Sequence, residues 1–215
     1  NLFIKYGSDK ANFWKKKDSG HGYTKFYLKH LINLKYKKIN ILEIGSYAGG
    51  SAAAFSKFFP KSKIICIDIN ISNFKYSSEK IKVYGLDASR KKSVKKFFKK
   101  INPSSNKEYF DIIIDDGSHK LSDMLKCLNT FFKFIKSNGY YIIEDYKFPN
   151  YFQHLNDIDH LKIDELISKV KNNIRVNSEI LTDLTIKSLL DNKKNINMYK
   201  GNLKESDIVF LQKSN

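Results

Sequence analysis

The run Asp115-Asp116-Gly117-Ser118-His119 puts two carboxylates, a glycine and an imidazole side by side. Glu144-Asp145 adds a second acidic pair further on. The residues before each group, Phe110–Ile114 and Tyr140–Ile143, are almost wholly apolar. Each group is therefore expected to leave the end of a strand covered on both faces. Acids gathered on adjacent strand ends repel one another unless something offsets their charge. A divalent cation does so directly, and an all-oxygen donor set favours a hard ion, Mg²⁺ or else Mn²⁺. Zinc fits poorly, because no cysteine or second histidine is near in sequence. The competing reading is a loop of solvated acids, against which the doubling of acids at both strand ends speaks. His119 is the natural general base: its ordinary pKa lies near working pH, and a neighbouring metal would acidify a hydroxyl. A lone histidine is more often structural; its place inside the acid cluster favours chemistry.

A second constellation lies upstream. Asn40–Asp68 reads as a buried strand, a glycine-bearing turn, a helix and a second buried strand ending in an acid. Glu43, Gly45 and Gly49 form E-x-G-x-x-x-G at the mouth of the turn. The glycines let backbone approach a ligand, and Asp68 can accept from ribose hydroxyls, as expected of a nucleoside-cofactor site. The spacing is not G-x-G-x-x-G and no G-K-[ST] follows, so dinucleotide and P-loop sites are poor fits. Asp87 ends a third short strand and can accept from an adenine amine; alternatively it caps the next helix.

These residues need a scaffold. Strands are expected at Asn40–Ile44, Lys63–Asp68, Lys82–Leu86, Phe110–Asp115, Tyr140–Glu144, Ile196–Tyr199 and Asp207–Gln212. Helices are expected at Tyr23–Tyr36, Gly50–Phe59, from Ser89 to Ile101, and at Ser122–Ser137 with Gly139 as its stop. Residues 1–22 read as irregular. The segment 148–194 reads as a long insertion, with helices around Ile158–Val170 and Ser178–Leu190, lying where it can cap an acceptor. Five strand–helix alternations and a terminal hairpin predict an α/β fold. It is a doubly wound, mostly parallel, seven-stranded sheet with a C-terminal antiparallel hairpin, in one domain spanning 1–215. Ligands in such sheets bind at the carboxyl ends of strands, where every residue named above falls.

Composition narrows the class. Lys+Arg number 39 and Asp+Glu 22, giving +17. Only Arg90 and Arg175 are arginine. Specific nucleic-acid recognition leans on arginine's planar fork, so none is expected, and a lysine-dominated solvated surface is favoured over an anionic acceptor. The runs 15–17 and Lys91–Lys100 read as the polar faces of a loop and a helix. Cys66 and Cys127 lie in apolar contexts as buried free thiols, which suits a reducing cytoplasm. No apolar run approaches a membrane span and no signal peptide opens the chain, so a cytoplasmic enzyme is expected.

Together these residues resemble class I S-adenosylmethionine-dependent methyltransferases. More narrowly, they resemble the metal-dependent sugar O-methyltransferases of the mycinamicin and macrocin type. LEIGSYAGGS at 42–51, IIIDDGSH at 112–119, GYYIIEDY at 139–146, YGSDK at 6–10 and HGYTKFY at 21–27 carry the likeness. The resemblance implies a Rossmann-like fold with S-adenosylmethionine as cofactor and Mg²⁺ or Mn²⁺ as metal. Glu43, Gly45, Ser46, Tyr47 and Gly49 would hold the methionine moiety, Asp68 the ribose and Asp87 the adenine side, with Asp115 also facing the cofactor. Asp116, Glu144 and Asp145 would ligate the metal, and His119 would be the base. Tyr6, Ser8, Asp9, His21 and Tyr23 would close over the cofactor, making 1–36 a covering segment and helix. Glu144 stands where a paired aspartate is expected. The implied activity is methylation of a hydroxyl on a sugar, glycoside or surface-polysaccharide precursor. The rivals are an RNA methyltransferase drawing on the basic surface, which lacks an N-P-P-[YF] amine site, and a nucleoside-binding module without catalysis. Acceptor identity and oligomeric state are not encoded legibly.

Overall fold

The computed structural model describes residues 1–14, 18–101 and 108–214. The lysine run 15–17, read above as a polar loop face, lies outside them. Seven strands form one sheet: β1 Asn40–Ile44, β2 Lys63–Asp68, β3 Ile81–Gly85, β4 Phe110–Asp115, β5 Ile135–Glu144, β6 Ile196–Lys200 and β7 Asp207–Gln212. Their order across the sheet is β3-β2-β1-β4-β5-β7-β6. The first five are parallel, and β7 runs antiparallel to both β5 and β6. The predicted doubly wound sheet with its terminal hairpin is therefore present.

Alternation along the strands divides the core. Leu42, Ile113, Tyr141 and Ile143 face one side, covered by α3 (Lys91–Ile101), α4 (Leu121–Phe131), α5 (Ile163–Lys171) and α6 (Asp183–Asp191). Ile41, Ile112, Ile142 and Phe210 face the other, covered by α1 (Thr24–Leu31), α2 (Gly50–Phe58) and the short N-terminal helix Leu2–Lys5. The two cysteines are free and buried, one on each side. No helix among the described residues is long and apolar enough to cross a membrane.

The structure corrects several boundaries. Residues 1–22 are not irregular throughout: besides Leu2–Lys5, Phe13–Trp14 pairs antiparallel with Asp18–Ser19. The helix read as Tyr23–Tyr36 ends at Leu31 and tightens into a 3₁₀ turn over Ile32–Leu34. The helix read as Ser122–Ser137 ends at Phe131, followed by a 3₁₀ turn and then β5. Gly139 is not a helix stop. It lies within β5, where the register against β4 shifts between Phe110 and Ile112. A Cβ there would meet the Asp111 carbonyl oxygen at 2.8 Å, so glycine admits the neighbouring backbone at an irregularity.

The insertion divides in two. The helices read around Ile158–Val170 and Ser178–Leu190 start later, as α5 and α6, and bury Ile163, Leu166, Ile167, Val170, Ile186 and Leu189 in the main core. Its leading part, the short helix Phe148–Tyr151, stays at the carboxyl end of the sheet, directly after Glu144-Asp145.

Candidate active site

Strand register sets the site. Ile44 pairs with Ile67 and with Asp115, Asp115 pairs with Ile143, and Asp68 pairs with Gly85. The acids that follow these strands therefore open on one edge. A cleft of about 350 Å³ lies there, lined by Gly45, Tyr47, Asp68, Asp87, Ser89 and Asp115–Ser118, with Ile67, Leu86 and Met124 as apolar walls.

The glycine loop is built for close approach. Gly45 has φ +81°, and a Cβ would meet the Asp116 carbonyl oxygen at 1.9 Å. Gly49 has φ +79°, opens α2 and faces the Phe74 ring. Both are conformations that glycine adopts without penalty. Glu43 lies fully buried beneath the loop. One of its oxygens takes the Ser51 hydroxyl, while Oε2 has no hydrogen-bond partner among the described residues. Burial pushes its carboxyl up to about 7, against the opposing pull of Lys10 and Ser51. An unpartnered buried carboxylate oxygen is costly unless a ligand completes it. Asp68 accepts from the Tyr47 amide at 2.8 Å and from the Asn70 amide at 2.9 Å, which fixes it at the cleft wall. Asp87 accepts from the Ser89 amide and hydroxyl, at 2.9 and 2.7 Å. These bonds close a turn ahead of α3, which begins only at Lys91, so Asp87 lines the cleft without capping that helix. Asp115 is buried, takes the Tyr141 hydroxyl at 3.1 Å and is raised by burial to about 7.

Next to this cleft lies the carboxylate cluster. Asp116 Oδ1 is 3.7 Å from His119 Nε2. Asp116, His119 and Asp145 each offer a ligand atom, and these atoms lie within 4.8 Å of one another. His119 and Asp145 have φ of 56° and 52°, in the left-handed region that non-glycine residues seldom occupy. Strain of this kind concentrates at functional sites. The Phe148 ring packs against His119 at 4.7 Å between centroids, and Phe152 packs edge-on against Phe148.

The deeper half of the cluster is satisfied by the protein itself. Lys10, 1% exposed, contacts Asp116 Oδ2 and lies 2.8 Å from Glu144 Oε2. The Tyr27 hydroxyl donates to Glu144 Oε1, and the Tyr23 hydroxyl donates to Asp145. His21 Nδ1 is 3.3 Å from Asp145 and 2.8 Å from the Ser206 hydroxyl. Burial disfavours the charged imidazole, but its bond to Asp145 prevails and lifts His21 to about 9. Burial also works against the Lys10 ammonium and raises Asp116 and Glu144, while the two carboxylates hold Lys10 well above the lysine range. With direct contacts on both sides, the charged pair is the state that this geometry describes, since a neutral member would leave a buried charge unpaired.

Gly45, Tyr47, Asp68, Asp87 and Asp115 line the cleft, as the sequence suggested, and Glu43, Ser46 and Gly49 lie under or behind the loop. Asp116 and Asp145 come together with His119, whereas Glu144 lies outside that group, its two oxygens held by Lys10 and Tyr27. Tyr6 and Ser8 do not line the cleft; their backbone packs over Gly50, whose Cβ would meet the Tyr6 carbonyl oxygen at 2.6 Å. His21 and Tyr23 turn to Asp145. Sequence reasoning missed Lys10 and Tyr27. Two signals were present, the membership of Lys10 and Tyr27 in the stretches YGSDK and HGYTKFY and a cluster of acids in need of a buried cation, but neither says that these side chains meet Glu144.

The family described as "Methyltransferase domain" matches residues 35–205. Among curated proteins, the chain is similar to 8-demethyl-8-(2-methoxy-alpha-L-rhamnosyl)-tetracenomycin-C 3'-O-methyltransferase of Streptomyces olivaceus. They are 28% identical over 151 residues, 67% of this chain and 35% of that protein. It is also similar to L-olivosyl-oleandolide 3-O-methyltransferase of Streptomyces antibioticus, 30% identical over 67% of this chain and 36% of that protein. The chain thus spans about a third of the length of these relatives. Among solved structures, it resembles the MycE methyltransferase of the mycinamycin pathway, solved in complex with Mg, S-adenosylhomocysteine (SAH) and mycinamycin VI. The TM-score is 0.69 at 19% identity, covering 99% of this chain and 53% of that one. At that identity the likeness speaks for the fold.

Proposed function

The chain belongs to the methyltransferase-domain family, and from that premise we propose that it transfers a methyl group from S-adenosylmethionine to a hydroxyl of a sugar-bearing acceptor, assisted by Mg²⁺ or Mn²⁺. The observation that carries this reading is adjacency: the cleft bounded by Gly45, Asp68 and Asp87 opens directly onto Asp116, next to His119 and Asp145. The sugar O-methyltransferase names of the relatives, and the Mg and SAH of the solved neighbour, support it.

The residues present suit both groups. The orphan oxygen of Glu43 suits the cationic amine of a methionine moiety, Asp68 suits ribose hydroxyls, and Asp87 suits the adenine edge. Asp116 and Asp145 offer hard oxygens of the kind Mg²⁺ prefers, and Glu144, held in this structure by Lys10 and Tyr27, would join them. A divalent ion held there supplies Lewis acidity to an acceptor hydroxyl. His119 Nε2 faces the carboxylates and is placed to take the hydroxyl proton. Asp116 Oδ1 lies 3.7 Å from that nitrogen, and Phe148 packs against the ring. Gly45 and Asp68 hold the donor so that sulfur, methyl and incoming oxygen align, and alignment contributes most because the sulfonium leaves readily. Phe148 and Phe152 form the acceptor wall, while α5 and α6 belong to the core. The test is transfer of labelled methyl from S-adenosylmethionine to a panel of glycosides and nucleotide sugars, with and without EDTA. Phe148→Ala should raise the acceptor KM with little change in cofactor affinity. Labelling of RNA and of no sugar would overturn the reading.

Glu43 makes cofactor binding sensitive to pH. Burial pushes its carboxyl up to about 7. A cationic amine prefers the ionised form, so below pH 7 binding must expel a proton. Affinity should therefore rise with pH up to about 7 and level off above it. Calorimetry at pH 6 in two buffers of different ionisation enthalpy should show proton release, and Glu43→Gln should abolish it. Equal heats in the two buffers would place the amine elsewhere.

A further inference from the structure

We propose that Lys10 is a resident counter-cation that a divalent ion displaces: its ammonium occupies the oxygens through which Asp116 and Glu144 would grip a metal together. The inference rests on the metal-assisted reading above. Three observations carry it. First, the ammonium touches Asp116 Oδ2 and Glu144 Oε2 at once, while the other Glu144 oxygen takes the Tyr27 hydroxyl. The proposed ligand Glu144 is thus fully engaged by protein donors, and the space between the two carboxylates holds one cation. Second, Tyr23 and Tyr27 bring neutral hydroxyls that can stay in place beside a metal, and His21 meets Asp145 at 3.3 Å, whereas the Lys10 ammonium lies between the Asp116 and Glu144 oxygens themselves, where like charges repel most strongly. Third, Lys10 can withdraw without unfolding its segment. Its backbone is fixed through the Tyr23 amide, which donates to its carbonyl at 2.9 Å, and through His21, whose amide donates to the Asp9 carbonyl at 2.8 Å. The four-carbon stem has rotatable bonds that can carry the ammonium away while these backbone bonds hold, and the half-buried Asp9 carboxylate is the next anion in its field.

This arrangement keeps the acids apart and charge-balanced before metal arrives, which a buried cluster of like charges otherwise resists. It also ties the metal to the N-terminal segment, because Lys10 follows directly on Tyr6–Ser8, whose backbone covers Gly50 beside the glycine loop.

Calorimetric titration of the intact protein with Mn²⁺ tests the exchange. Lys10→Met and Lys10→Gln, checked for folding by thermal melting, should bind Mn²⁺ at least tenfold more tightly than wild type, about 1.4 kcal/mol. In wild type, saturation with Mn²⁺ should make the Lys10 ε-amine, 1% exposed in this structure, react several-fold faster with an amine-acylating reagent, because the ammonium has left the buried cluster. A folded variant that binds Mn²⁺ equally or more weakly overturns the proposal and makes Lys10 an outer support of the ligands. If neither variant folds, the wild-type labelling decides: unchanged or slower acylation of Lys10 with Mn²⁺ bound overturns it. Wild type that takes up no Mn²⁺ at millimolar concentration sinks the metal-assisted reading itself, and the exchange with it.

Discussion

Asp116→Asn is expected to lower methyl transfer by about 10³ or more while S-adenosylmethionine affinity stays within about twofold. The magnitude follows from the several kcal/mol that a Lewis acid contributes to an acyl- or alkyl-accepting oxygen, at about 1.4 kcal/mol per decade of rate. Asparagine keeps the shape of aspartate and removes its charge. Asp116 meets Lys10 through one oxygen and His119 through the other, so the substitution strikes the ion site and the base together. The donor should be spared, because the contacts proposed for it come from Glu43 on β1, Asp68 on β2 and Asp87 after β3. Lys10 retains Glu144 at 2.8 Å, so the buried ammonium is not orphaned and the fold should survive. Exhaustive chelation of wild type should reproduce the loss, and added Mg²⁺ or Mn²⁺ should reverse it. Turnover that persists after chelation, or a variant keeping more than a tenth of the rate, would show that the acids serve another purpose.

What made the fold legible was the strands. Continuous apolar runs such as Phe110–Ile114 and Tyr140–Ile143 need cover on both faces, and that need alone nearly dictates a parallel sheet between helical layers. The carboxyl-end rule then selected Glu43, Asp68, Asp87, Asp115, Asp116, His119, Glu144 and Asp145 without further information. Gly139 was misread because a glycine after an amphipathic stretch is ordinarily a helix stop. Its actual constraint is the approach of the Asp111 carbonyl, a long-range contact that local pattern does not report. The insertion was misjudged in extent for a similar reason. The apolar faces of α5 and α6 were visible, but only the tertiary structure shows them joining the core and leaving Phe148 and Phe152 near the cluster.

The inner partners of the acids were hidden for a different reason. Lys10 and Tyr27 reach Glu144 from positions 134 and 117 residues away in sequence. Both close stretches that carry the resemblance, YGSDK at 6–10 and HGYTKFY at 21–27, but a match of pattern does not say which acid each side chain reaches. Charge accounting in a buried cluster demands such partners but does not name them. The hydroxyl of Tyr23 shows the same limit. The resemblance placed it over the cofactor, whereas its hydrogen bond goes to Asp145.

His119→Asn is expected to lower turnover by about 10²–10⁴, the range for loss of a general base. Asparagine is the cleaner probe, because position 119 has φ 56°, which asparagine tolerates better than alanine does. Two roles compete for this imidazole. Its Nε2 lies among atoms that could share a metal, and it is also oriented to accept a proton, but one lone pair cannot do both at once. The roles part on two measurements. For a base, metal affinity by calorimetry should be nearly unchanged in the variant, and the wild-type rate should climb with pH along a limb that the variant lacks. For a ligand, metal affinity should fall sharply and added Mn²⁺ should restore much of the rate. The 3.7 Å spacing from Asp116 and the ring contact with Phe148 favour the base, since together they aim Nε2 at the mouth of the cluster while the acids supply the oxygens that Mg²⁺ prefers. A variant of near wild-type turnover would leave the ion alone to activate the hydroxyl and return His119 to the packing of Phe148.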